Sequence, residues 1–184
     1  GSLVGWSGID SLMDTARHIL STRPNVCLMM VGGGKNREFF QKELQTGALA
    51  SRVILPGTVP HSEVPRYLSC MDVVLAPYPK LEFWYASSMK IFEYMAAGKA
   101  VVATAVGQVA EIISDGVNGY LVDPDSGRTL REKIELLVDS SEARHRVGER
   151  ARRDIEEKWN WDNHAKKMIA IFEEVLRRHR LKRV

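Results

Sequence analysis

Cysteine is scarce: the chain of 184 residues has two, Cys27 and Cys70. Neither has a second Cys or a His at metal-ligand spacing, which excludes a disulfide framework and a zinc ribbon. Each sits in an apolar segment and is expected as a buried free thiol of a reducing compartment. Long apolar runs are also missing, and nothing approaches the ~18–20 residues of a membrane span. The first residues lack the basic stretch and apolar core of a secretory leader, so no signal peptide is expected. No internal repeat, low-complexity tract or Pro/Gly-rich linker interrupts the chain, so one domain is expected over 1–184.

A broad basic surface is absent as well. Lys and Arg number 26 and Asp and Glu 23, a net charge of +3. Five of the basic residues, Arg177, Arg178, Arg180, Lys182 and Arg183, close the chain, and taking those five from +3 leaves −2 for the remainder. Nucleic-acid binding needs a distributed basic stripe and is excluded. The tail reads as a solvated helix end favoured by the helix dipole, or as a contact for an anionic membrane or a partner. No cluster of Asp, His and Cys has the spacing of a metal site. Gly32-Gly33-Gly34-Lys35 is no phosphate-binding P-loop, because no Ser or Thr follows Lys35, and the dinucleotide pattern fails at Arg37. A tight strand-to-helix turn is the reading there.

What is present is an ordinary globular composition, 45% hydrophobic and 27% charged. It is arranged as short apolar runs alternating with helical periods. Strands are expected at 25–31, 52–55, 72–76, 100–104 and 119–122. Helices are expected at 9–21, 36–46, 61–71, 88–97, 108–114, 127–138, 141–157 and 162–180. Near-continuous apolar strands between helices predict a doubly wound α/β domain with a parallel sheet covered on both faces. Ligands of such sheets bind beyond the carboxyl ends of the strands, which singles out the loops 32–35, 56–61, 77–89 and 104–109.

The densest of these continues into Ser87-Ser88-Met89-Lys90-Ile91-Phe92-Glu93. The two serines are expected to cap a helix, with the N–H groups of Ser88, Met89 and Lys90 pointing out of its start. With the dipole and the Lys90 charge these make an anion site. Glu93, one turn on, can accept two hydroxyl hydrogen bonds, as from a ribose. On spacing alone, Lys90 and Glu93 read first as an ordinary exposed i,i+3 pair.

The segment SSMKIFEYMAAGKAVVAT resembles the "SPLKxFEYMAxGxPVVAT" stretch of family 4 retaining glycosyltransferases. VGQVAEIISDGVNGYLVDPDS is similar to that family's "xGGxxEIIxDGxNGxLVxPxD". VILPGTVPHSEVPRYLSCMDVVLAPY and GSLVGWSGIDSLMDTARHI resemble two further family segments, in the right order. The resemblance implies a GT-B enzyme: two Rossmann-like domains with a cleft between them, of which 1–184 is the C-terminal, nucleotide-sugar-binding half and 162–184 its terminal helix and basic tail. It implies a hexosyl or other glycosyl transferase acting with retention, whose donor carries UDP or GDP, with no metal and no other cofactor. Lys90 is then the residue that stabilises the leaving phosphate. Ser87, Ser88 and Met89 join it on the diphosphate, and Glu93 takes the ribose. Gly57, Thr58 and Val59 lie against the base, while Trp84, Tyr85 and Ala86 face the sugar. Ser7 and Gly8 stand at the opening loop.

Two departures weaken the pattern. The family often has a glutamate eight positions before Glu93, where this chain has Tyr85; Glu82 is three residues too early. Its opening Arg and Lys are replaced by Ser2 and Ser7, which leaves the phosphate charge to Lys90, the helix dipole and Lys35. Alternatives are a non-catalytic module with a degenerate donor site, or another GT-B activity such as a sugar-nucleotide epimerase. The resemblance also implies an absent N-terminal acceptor domain and a cytoplasmic location, at the inner membrane face if the basic tail makes contact there. Smaller expectations complete the reading. His61 is a candidate ligand contact, and His18 and His145 are ordinary helix residues. Asp123 and Asp125 belong to a turn. Trp159 and Trp161 are packing residues. Met168, Ile171, Phe172, Val175 and Leu176 form a core-facing stripe.

Overall fold

The computed structural model describes residues 9–45, 47–80, 82, 87–124 and 126–181. Helix α1 (Ile9–Thr22) precedes β1 (Leu28–Val31), α2 (Arg37–Leu44), β2 (Val53–Gly57), α3 (Val64–Ser69) and β3 (Val73–Ala76). Then come α4 (Met89–Ala96), β4 (Ala100–Thr104), α5 (Val109–Ile112), β5 (Tyr120–Val122), α6 (Gly127–Asp139), α7 (Ser141–Glu157) and α8 (Trp161–Leu181). Every strand pairing among the described residues is parallel. The strands fall into a pair, β1-β2, and a triplet, β3-β4-β5.

Strand β4 is buried along its whole length, as a central parallel strand must be. Its alternate residues feed two clusters. Val101 and Ala103 pack with Ile91 and Met95 of α4, Val109 of α5 and Ala151 of α7. Ala100 and Val102 pack with Tyr120, Leu130, Ile134 and Val147 on the opposite face. Helix α1 ties the triplet to the pair: Ile19 joins the second cluster, while Met13, Ala16 and Leu20 pack with Met30, Phe40, Leu44 and Val53.

Helix α4 ends in a Schellman cap, with the Gly98 N–H on Met95 C=O at 2.9 Å and the Lys99 N–H on Tyr94 C=O at 3.1 Å. Gly98 has φ +66° there, the left-handed conformation glycine adopts without strain. Helix α7 crosses this cap so closely that a Cβ on Gly148 would lie 2.2 Å from the Gly98 carbonyl oxygen. One more contact locks α7. The buried Asp154 carboxylate accepts from Asn118 Nδ2 at 2.8 Å, Lys158 Nζ at 2.8 Å and Arg150 Nε at 3.3 Å, and Asn118 pins the turn before β5. Burial pushes the Asp154 carboxyl up, but the three donors outweigh it and hold the group below its ordinary value.

Four expectations are corrected. Cys27 and Cys70 are exposed rather than buried, because Cys27 lies outside β1 and Cys70 is the exposed C-cap of α3. β1 is shorter than expected and buries only Met30 along its length, since one flank meets a cleft rather than a further paired strand. The apolar stripe of α8 faces outward: Met168, Ile171, Phe172, Val175 and Leu176 are 38 to 58% exposed, as is Ile169 at 55%. Helical spacing identifies an apolar face but not what covers it. Trp159 does pack, edge-on to Phe92 with ring centroids 6.0 Å apart, whereas Trp161 is 75% exposed. A 3-10 segment, Gly47–Arg52, is an addition that periodicity did not signal. Among the described residues, no helix is long and apolar enough to cross a membrane.

Candidate functional site

A cleft of about 950 Å³ opens between the β1-β2 pair and β3, and runs out to the carboxyl ends of these strands. Gly32, Thr58, Val59, His61, Lys90 and Glu93 all line it. Three of the four loops expected to carry a ligand thus border one cleft, although they are far apart in sequence, while no residue of the 104–109 loop lines it. The Gly32 N–H donates to the Gly57 carbonyl at 2.8 Å, and a Cβ on Gly33 would fall 2.5 Å from Thr58 Oγ1, so the turns after β1 and β2 are in contact. On the far side, Ser87 Oγ donates to Gln108 Oε1 at 2.7 Å and ties the start of α4 to the loop after β4.

The start of α4 is an uncapped helix end. Ser88 occupies the N-cap position, yet its side chain makes no capping hydrogen bond. This corrects the expectation that both serines cap: Ser87 is spent on Gln108, and the buried Ser88 hydroxyl on the Tyr78 hydroxyl. The Met89 N–H is engaged by the Ser87 carbonyl at 3.2 Å, and the Ile91 N–H by the Ser88 carbonyl at 3.0 Å. The Lys90 N–H, which lies between them, has no acceptor among the described residues. An orphan donor at a helix N-terminus carries partial positive charge and attracts anions.

The side chains of Lys90 and Glu93 stand beside it. Lys90 Nζ lies over the Tyr78 ring, 5.0 Å from its centroid, and burial pulls its pKa below the usual lysine range. An arriving anion would reverse that shift, because an opposite charge favours the ammonium. Glu93 Oε1 is 3.4 Å from His61 Nε2, a long contact, so the carboxylate stays available at the mouth of the cleft. Behind them the Tyr94 phenol is pushed up to about 12, mainly by burial.

Not every expected residue reaches the cleft. Ser87 and Met89 are exposed and Ser88 is buried, and none of the three lines it. Lys35 and Glu82 are exposed and do not line it either. Ser7, Gly8, Trp84, Tyr85 and Ala86 lie outside the described residues. Among those described, no group of three or more His, Cys, Asp and Glu could hold a metal ion. Sequence reasoning missed Tyr78 and Gln108. Both sit in the first residues beyond a strand's carboxyl end, a position that carries ligand contacts in this class of sheet.

The profile of the family "Glycosyl transferases group 1" matches residues 1–154. An uncharacterized glycosyltransferase of Methanocaldococcus jannaschii is 28% identical over 172 residues, which cover 94% of this chain and 43% of that protein. The chain therefore spans less than half the length of this relative. Among solved structures, the C-terminal domain of a glycosyl transferase group 1 family protein from Francisella tularensis superposes with a TM-score of 0.76 at 24% identity, covering 88% of this chain and 84% of that one. The Anabaena protein HepE, solved in complex with UDP, superposes with a TM-score of 0.81 at 20% identity, over 95% of this chain and 47% of that one.

Proposed function

The chain belongs to the glycosyl transferases group 1 family, and from that premise we propose that it is the donor-binding half of an enzyme that transfers a sugar from a nucleoside-diphosphate sugar to an acceptor with retention. The observation that carries this reading is the convergence of Lys90, Glu93 and the Thr58-Val59 turn on one cleft, with Lys90 in the uncapped first turn of α4. That order suits a nucleoside diphosphate: base against Thr58 and Val59, ribose hydroxyls on Glu93, diphosphate at Lys90 and the helix start. The solution of the structural neighbour HepE with UDP supports a uridine nucleotide over the alternatives.

Transfer breaks the bond between the sugar's anomeric carbon and the terminal phosphate oxygen, and negative charge grows on the diphosphate as it leaves. In this reading the Lys90 ammonium and the Lys90 backbone N–H face the charge as it develops, and donors placed in advance stabilise it with little reorganisation. Lys90 enters partly desolvated, so its attraction for the leaving group strengthens as charge builds, and its effect falls more on turnover than on ground-state affinity. The acceptor and the groups that handle it belong to the N-terminal half of the two-domain enzyme, and the outward apolar face of α8 is available to that half.

The test is calorimetric titration of the purified chain with UDP, GDP and ADP. Saturable binding of one of the three supports the donor site, and binding of none overturns it for this chain.

The second reading, a module that keeps the fold without turnover, rests on Tyr85 and Ser7 standing where the family pattern has a glutamate and a lysine. A full-length enzyme that binds the nucleotide but releases no free nucleoside diphosphate from its sugar donor would favour it.

A further inference from the structure

A serine at the N-cap position of a helix ordinarily turns its hydroxyl onto the second or third amide of the first turn. Ser88 is at that position and does not. Its hydroxyl is hydrogen-bonded to the Tyr78 hydroxyl in the buried wall behind the helix start. Tyr78 itself is fixed from both neighbouring strands. It stands two residues past the end of β3, after Pro77, and its backbone N–H donates to Thr104 Oγ1 at 2.8 Å, at the carboxyl end of β4. Its ring lies under Lys90 Nζ at 5.0 Å. One side chain thus touches both parts of the anion site, the helix start and the lysine.

We propose that Tyr78 is a positioning residue for the diphosphate site: its hydroxyl draws the Ser88 hydroxyl off the first turn of α4, which leaves the Lys90 N–H open to an anion, and its ring holds the Lys90 ammonium beside that opening. This rests on the donor-site reading above. Without the Tyr78 hydroxyl, Ser88 Oγ is free to rotate onto the Lys90 N–H and the helix caps itself. An incoming phosphate oxygen then has to displace that cap. The consequence is specific to the phosphate part of the ligand, since Thr58, Val59 and Glu93 are not touched by the change.

Two measurements on the chain test this. The first needs no ligand. In Tyr78→Phe, hydrogen exchange at the Lys90 backbone amide should slow by about fivefold, the equilibrium strength of an ordinary cap. It should return to its starting rate in the Tyr78→Phe/Ser88→Ala double variant. An exchange rate unchanged by Tyr78→Phe, or one that stays slow in the double variant, overturns the proposal.

The second compares UDP with uridine by calorimetry. Tyr78→Phe should weaken UDP by about fivefold and leave uridine within twofold. The double variant should recover most of the loss, a rescue that a damaged fold would not show. Equal weakening of UDP and uridine, or a further loss in the double variant, overturns the proposal. If the unsubstituted chain binds UDP no better than uridine, the donor reading fails, and the amide exchange still decides whether Tyr78 holds the cap open.

Discussion

Removing the Asp154 carboxylate is the sharpest test of what locks α7 behind the site. The side chain is 4% exposed and accepts from Asn118, Lys158 and Arg150. A hydrogen bond to a charged group nets ~1.5–3 kcal/mol when both partners are buried. Arg150 and Lys158 are 45 and 55% exposed, so they recover water when the carboxylate goes, and each counts for under ~1 kcal/mol. The buried Asn118 keeps its bond to the Ile112 carbonyl and loses one acceptor, at ~1–2 kcal/mol. Asp154→Ala should therefore cost ~2–3 kcal/mol, a fall of ~4–12 °C in Tm for a chain of this size. The sign with pH follows from the lowered carboxyl. The folded state holds the Asp154 proton less tightly than the unfolded state, so the stabilisation is complete above the unfolded value of ~3.9. It fades as pH falls through the folded value. Urea unfolding of both proteins, followed by circular dichroism, should show a constant gap from ~pH 5 to 8 and a smaller gap at ~pH 3. A gap below ~0.5 kcal/mol at neutral pH, the range of an ordinary surface substitution, or one that widens on acidification, would refute the reasoning.

Three further outcomes are expected. Lys90→Met should weaken UDP by ~10-fold and leave uridine unchanged in calorimetry, since one desolvated charge contact is worth about 1.4 kcal/mol or more; equal losses for both ligands would contradict the assignment. Gly148→Ala should cost ~2–3 kcal/mol in thermal unfolding, because the new Cβ meets the Gly98 backbone and no side chain can yield. An unchanged Tm would mean that α7 and α4 do not approach as described. Phe172→Glu, on the outward face of α8, should change the unfolding free energy of this chain by no more than ~0.5 kcal/mol. A loss of several times that amount would place the face in a core.

Most of the architecture was legible because the strands are short, apolar and spaced by helical periods. The residues of β4 read as a buried strand on their own, and the structure buries all of them on both faces. The same logic misled at α8. Its apolar positions recur as regularly as those of α1, but the α1 stripe joins two core clusters and meets α6, whereas α8 finds nothing among the described residues. That Lys90, Glu93 and the Thr58-Val59 turn face one cleft was legible because strand ends point ligand loops one way. The state of Ser88 was not. A serine before a helix signals a cap, and only the tertiary position of Tyr78, ten residues earlier, shows where the hydroxyl goes. The tie between Ser87 and Gln108 escaped for the same reason, because it joins two loops that only the sheet brings together.

The central claim, that Glu93 receives the ribose of a nucleoside diphosphate, has one most direct measurement. Calorimetry should compare UDP with 2′,3′-dideoxy-UDP, on the unsubstituted chain and on Glu93→Ala. If the carboxylate holds the hydroxyls, removing either partner weakens binding by ~10-fold or more, and removing both costs little beyond removing one. Independent losses that simply add would show that Glu93 and the ribose do not meet.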